Sequence, residues 1–146
     1  MRIVATLCAI LALAAPVRAQ NGWPNLDALL FSTLPASGRA AASFWLPDTP
    51  DPATATRALG IVYEHILGSE GSVSIANGVY VRTTQGWQIA GVVPNLFGQS
   101  PRAANFGPAS VDVTTTTLGP NEPRCCPTVE TRWRIDLATF QAQRLN

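Results

Sequence analysis

Two adjacent cysteines, Cys125 and Cys126, lie between prolines in "GPNEPRCCPTVE" (119–130), and they are the side chains in this chain best suited to chemistry. Thiolates bridge, exchange with other disulfides, or bind soft metals. Neighbouring Cα atoms sit about 3.8 Å apart across a trans peptide, whereas disulfides prefer about 4.4–6.8 Å. A bridge within the pair is therefore strained and relatively reducible. It also closes almost no loop, so it cannot serve as an ordinary staple. Three uses stay open: a vicinal disulfide locking a turn that Pro123 and Pro127 restrict, a bridge to a second copy or another protein, and free thiols for redox exchange or Cu(I). The Cu(I) use requires the backbone to turn, because neighbouring side chains in an extended segment point to opposite sides. The paired C-x-x-C pattern of a strong metal site is missing.

The other candidates have simpler readings. His65 is the only histidine and falls in the strand pattern Ile61, Tyr63, His65, Leu67. It reads as a core or edge residue rather than a catalyst. The sequence contains no G-x-S-x-G elbow, H-E-x-x-H, phosphate loop or dinucleotide fingerprint, so no enzyme is predicted and no catalytic residue, metal ligand or cofactor is assigned. Asp48 and Asp51 stand among prolines 47, 50 and 52, which suits turn chemistry better than a calcium loop. Trp45, Trp87 and Trp133 could build an aromatic platform for glycans. Trp87 and Trp133, however, lie on the apolar phase of their strands and are expected in the core. Trp23 is expected to be exposed. Lysine is absent, which excludes lysine chemistry such as a lysine Schiff base.

The chain opens "MRIVATLCAILALAAPVRAQ", with a charged start, an apolar stretch from Ile3 to Ala15 and a V-x-A site before Gln20. That is the pattern of a secretory signal peptide over 1–19. The apolar stretch falls short of the 18 or so residues of a membrane span. Cys8 lies inside it, at a poor position for lipid attachment. Removing 1–19 leaves 127 residues with 8 arginines against 9 carboxylates, a net charge near −1. No basic field remains for nucleic acid or anionic lipid.

These side chains must be carried by a mainly β framework. "PNLDALLFSTL" predicts a short helix over 25–33 with Asn25 as its cap, followed by a proline-rich loop to residue 56 with one strand near Ala41–Leu46. From Arg57 to Asn146 the period becomes two. Strands are expected within 58–67, in the pair 77–93 joined at Gln85-Gly86, in 109–118 and 128–137, and in a short final piece at 139–145. In "TVETRWRIDL", Val129, Thr131, Trp133, Ile135 and Leu137 face one way. Glu130, Arg132, Arg134 and Asp136 face the other, as a solvated surface with weak cross-strand ion pairs. Val111, Val113, Thr115 and Thr117 share one face in the same manner. Short connections predict an antiparallel meander, in a single α+β domain dominated by β, with the helix covering one face or end. A closed barrel or a sandwich of the same strands is the alternative arrangement.

"LGPNEPRCCPTVETRWRI" resembles the C-terminal signature of uncharacterised bacterial exported proteins, roughly G-P-N-D-P-x-C-C-P-[TS] followed by a strand, and is similar to the LppP/LprE-type lipoproteins of mycobacteria. Gly119, Pro120, Asn121, Pro123, Cys125, Cys126, Pro127 and Thr128 match by position, and Glu122 stands where the pattern has Asp. The resemblance spans roughly residues 57–146. Without a recognisable lipoprotein cysteine, lipid anchoring does not carry over. It implies a periplasmic or extracellular location and no particular reaction.

The leading expectation is thus a non-enzymatic, exported binding domain for an envelope component or protein. Its contact region is the loop 119–128, with Asn121, Arg124, Cys125 and Cys126. A redox or Cu(I)-handling role for the same pair is the alternative, and inhibition of a cell-wall hydrolase a weaker one.

Overall fold

A computed structural model describes residues 22–36, 39–69 and 72–146. The predicted signal segment 1–19, including Cys8, lies outside the described residues. Helix α1 (Leu26–Thr33) is followed by strands β1 (Ala40–Pro47), β2 (Arg57–His65), β3 (Val73–Thr83), β4 (Gly86–Val92), β5 (Gln99–Phe106), β6 (Ser110–Thr117), β7 (Val129–Asp136) and β8 (Ala142–Arg144). No helix among the described residues is long and apolar enough to cross a membrane.

The Asn25 side chain accepts from the Ala28 amide at 3.0 Å, the capping bond its position predicts. Asp27 adds negative charge to the first turn. The helix stops where Leu34 becomes extended ahead of Pro35. Leu30 and Leu34 are buried against Ala58, Val62, Ala76 and Tyr80, each fully buried leucine contributing about 1.5–3 kcal/mol. The close approach depends on Gly60. A methyl group there would lie 2.7 Å from Tyr80 Cε2 and closer still to Leu30 Cδ2.

The strands form two antiparallel meanders, β1-β2-β3-β4 and β5-β6-β7-β8. One core cluster draws Leu59, Ile61, Tyr63 and Val79 from the first sheet and Val111, Val113, Trp133 and Ile135 from the second. The sheets therefore pack face to face, so that of the two alternative arrangements the sandwich, not the closed barrel, is adopted. The helix covers the outer face of the first sheet. β1 pairs with β2 across the boundary expected at residue 56.

The meander divides at 93–98, where the chain passes from one sheet to the other. Its carbonyls find side-chain donors from both sheets. Asn77 Nδ2 donates to Val93 O at 3.3 Å and Leu96 O at 3.0 Å. Thr115 Oγ1 donates to Phe97 O at 2.8 Å, and Tyr63 OH to Gly98 O at 2.7 Å. Asn95 both donates to and accepts from the backbone of Ala142. A crossover with little backbone pairing of its own is thus satisfied as buried polar groups require.

Three elements differ from expectation. β5 shows no period-two pattern because it is irregular: Ser100 and Ala103 have positive φ, and its register against β6 shifts twice. Pro101 is tolerated because β5 is an edge strand. β3 begins at Val73 rather than Asn77, pairing Val73 with His65. The final strand shrinks to three residues because Asp136 caps the preceding turn, accepting from the Ala138 and Thr139 amides at 2.9 and 2.8 Å.

Candidate functional site

The loop between β6 and β7 is built from two successive turns. The Glu122 amide donates to Gly119 O at 3.3 Å, and the Cys126 amide to Pro123 O at 3.1 Å. Pro120 occupies the second position of the first turn, where its fixed φ is favourable, and Asn121 follows it, exposed. The second turn has Arg124 and Cys125 at its centre. Cys125 and Cys126 are both exposed and are paired sulfur to sulfur, with Cα atoms 3.8 Å apart.

The clamp at the loop's base is not the cysteine pair but Glu122. Its carboxylate accepts from the Gly119 amide at 2.9 Å, the Thr128 amide at 3.0 Å and the Thr128 hydroxyl. The Thr128 hydroxyl, then the Gly119 and Thr128 amides, hold this carboxyl below its ordinary value of 4.5. Gly119 is bare for a reason: a methyl group there would lie 3.1 Å from Val129 Cγ2 and 3.2 Å from Glu122 Cδ.

Beside the loop lies an open groove of about 320 Å³. Arg124 and Pro127, on either side of the cysteines, line one wall. Tyr63, Val73 and Ile75 from the ends of β2 and β3 line another, and Phe97, Thr116, Thr117 and Leu118 are among the rest. Three of these are large apolar side chains left open to solvent: Val73 at 37%, Phe97 at 52% and Leu118 at 46% exposure. Ile66 and Leu67, at the turn of the same β2–β3 hairpin, are exposed as well. Arg124 is the one charged side chain among the described residues of the lining. Burial pushes the Tyr63 phenol up to about 12, so it stays a neutral donor to Gly98.

Of the four residues predicted for binding, Arg124 therefore reaches the groove. Asn121, Cys125 and Cys126 stand on the exposed side of the same loop without lining it. His65 is exposed as the last residue of β2, an interior strand of its sheet, and is neither a core residue nor on a sheet edge. The Asp48 carboxylate accepts from the Thr56 amide and hydroxyl and from the Arg57 amide. Burial raises its pKa, but these bonds and the Arg57 charge outweigh that and bring it below the ordinary value. Asp51 accepts from the Ala53 amide at 2.9 Å. Both aspartates are thus turn-forming residues.

The tryptophans do not make a flat platform. Trp45 meets Trp23 and Trp87 edge to face, at 71° and 87°, in a small cluster on the outer face of the first sheet. Trp23 is half-buried there rather than exposed. Trp133 sits in the inter-sheet core, its indole donating to Thr115 Oγ1 at 2.9 Å.

The comparisons give no relative. No protein-family model matches the chain, nor does any curated protein or solved structure. The functional reading therefore rests on the site and on the sequence itself. Two of its parts escaped the sequence reading. Glu122 appeared only as a departure from a motif. Phe97, in "PNLFG", carried a usable signal: a large apolar residue between Pro94 and Gly98, outside any strand pattern, points to an exposed apolar surface.

Proposed function

We propose that this protein is an exported, non-enzymatic binding domain of the bacterial envelope, and that the groove walled by the 119–128 loop is its binding surface. The observation that carries this reading is the open apolar groove whose lip holds Arg124 and Pro127, immediately beside two exposed cysteines. Concave apolar sites with a few convergent polar groups are the usual form of a ligand pocket, and loops on a rigid scaffold commonly carry recognition. The likeness of the cysteine segment to that of exported bacterial proteins fits the same reading, as does the signal pattern over 1–19.

The test replaces the chromosomal copy with a Cys125→Ser/Cys126→Ser variant and, separately, with Arg124→Gln. Both should reproduce the deletion phenotype under envelope stress while accumulating in the periplasmic or extracellular fraction at wild-type level, with Gln20 as the first residue. Wild-type behaviour of both variants, in every condition where the deletion is impaired, would overturn the reading.

Thiol–disulfide exchange is the second reading, favoured by the exposure of both sulfur-bearing residues. It predicts two newly alkylated thiols by mass spectrometry after treatment with a mild dithiol. A pair that stays closed under strong reductant would sink it.

A further inference from the structure

The groove's polar lining shows what class of ligand it suits. Its hydroxyls are already engaged within the protein. Tyr63 OH donates to Gly98 O at 2.7 Å. Thr116 Oγ1 accepts from Arg102 at 3.1 Å, and Thr117 Oγ1 bonds Thr131 Oγ1 at 2.7 Å. The strand bordering the groove, β5, is a poor template for an added peptide strand, because Ser100 and Ala103 have positive φ and its ladder is interrupted. An extended peptide laid here would leave backbone groups unpaired, which is costly once they are removed from water. A hydrocarbon chain has no such groups. It would cover the exposed Val73, Phe97 and Leu118 and gain from their removal from water.

Arg124 supplies the remaining half of the specificity. It takes no part in the ion pairs among the described residues, which use Arg57, Arg102 and Arg134. Its guanidinium is thus available to an anion at the groove's lip. The described lining brings no carboxylate to oppose one.

We infer that the groove binds a single-chain amphiphile, a free fatty acid, with its hydrocarbon along Val73, Phe97 and Leu118 and its carboxylate on Arg124. This rests on the groove being the binding surface, as proposed above, and adds the ligand's chemistry. A bilayer surface is not the occupant: one arginine on residues 20–146, whose 8 arginines stand against 9 carboxylates, supplies little attraction to anionic headgroups.

Isothermal titration of the purified exported form, residues 20–146 with the pair oxidised, tests it using myristate and the neutral tetradecanol below their aggregation thresholds. Wild type should bind both, myristate more tightly. Arg124→Gln should weaken myristate about tenfold and leave tetradecanol unchanged, as loss of a charge-assisted bond requires. Phe97→Ser should weaken both. Circular dichroism confirms that each variant is folded, and both positions are exposed. No myristate binding by wild type, equal myristate affinity in Arg124→Gln, or co-sedimentation with anionic phosphatidylglycerol vesicles in place of monomer binding would each overturn the assignment. Failure of this ligand class alone leaves the variants' cellular phenotype intact. Failure of the binding surface itself abolishes both.

Discussion

The two sheets are each antiparallel meanders of four strands, yet their burial differs. β2 is buried at every position from Ala58 to Glu64, while β7 alternates, with Thr131, Trp133 and Ile135 buried and Arg132, Arg134 and Asp136 exposed. The first sheet has a layer on each side: the helix and the tryptophan cluster outside, the second sheet inside. The second sheet has one wet face, laced by Arg134 to Asp112 at 2.7 Å and Arg102 to Glu130 at 2.7 Å. Periodicity in a strand therefore reports what covers it, and a strand inside three layers loses the alternation that would announce it. The candidate site occurs where this layering ends, at the β2–β3 hairpin tip and the β6–β7 loop.

The difference predicts a ranking of mutational effects. The largest belongs to β2, where neighbours face opposite layers. Ile61→Ala should cost about 2–5 kcal/mol in chemical denaturation, and Val62→Ala, facing the helix, about 1–3 kcal/mol. In β7 the corresponding neighbours should split, with Ile135→Ala as costly as Ile61→Ala and Arg134→Ala near wild type. Equal costs for Ile135 and Arg134 would erase the contrast between the sheets.

Gly60→Ala comes next. It forces Leu30 or Tyr80 to move, and overpacking of this kind costs about 1–3 kcal/mol. The damage should concentrate at the helix, read as faster amide exchange in α1 than in β6 and β7. Uniform acceleration across both sheets would mean that the layers do not unfold separately.

The smallest effect on global stability belongs to the loop. Glu122→Gln should leave the thermal midpoint nearly unchanged but speed exchange at the Gly119 and Thr128 amides. Because the folded carboxyl lies below its ordinary value, its contribution is fully present above about pH 4.5 and is lost as pH falls through the folded value. Wild-type protection at those two amides should therefore fade on acidification, whereas Glu122→Gln should show no such step. A pH-independent wild type would remove Glu122 as the clamp.

Several elements were legible without coordinates because their causes are local. Asn25 caps the helix through a bond three residues away. β6 and β7 alternate because each has one face in the core and one more open to water. Others were not. β5 hides its strand character in positive-φ residues and a broken ladder, neither of which leaves a period-two trace. Cys125 and Cys126 pair with each other, one of the uses left open for them, whereas the bonds from Gly119 and Thr128 to Glu122 at the base of the same loop had no sequence signal.

Composition, alternation and turn residues were enough to define a mainly β chain with one capped helix and a proline-bracketed turn at the cysteines, because these depend on neighbours within a few residues. The division into two sheets depends on Asn77, Tyr63 and Thr115 reaching carbonyls 16 to 35 positions away. The groove likewise requires Val73, Phe97, and the pair Leu118 and Arg124 from three separate segments. No local pattern records such meetings; they exist only once the layers have packed, because contacts between distant segments are chosen by the burial of the whole core.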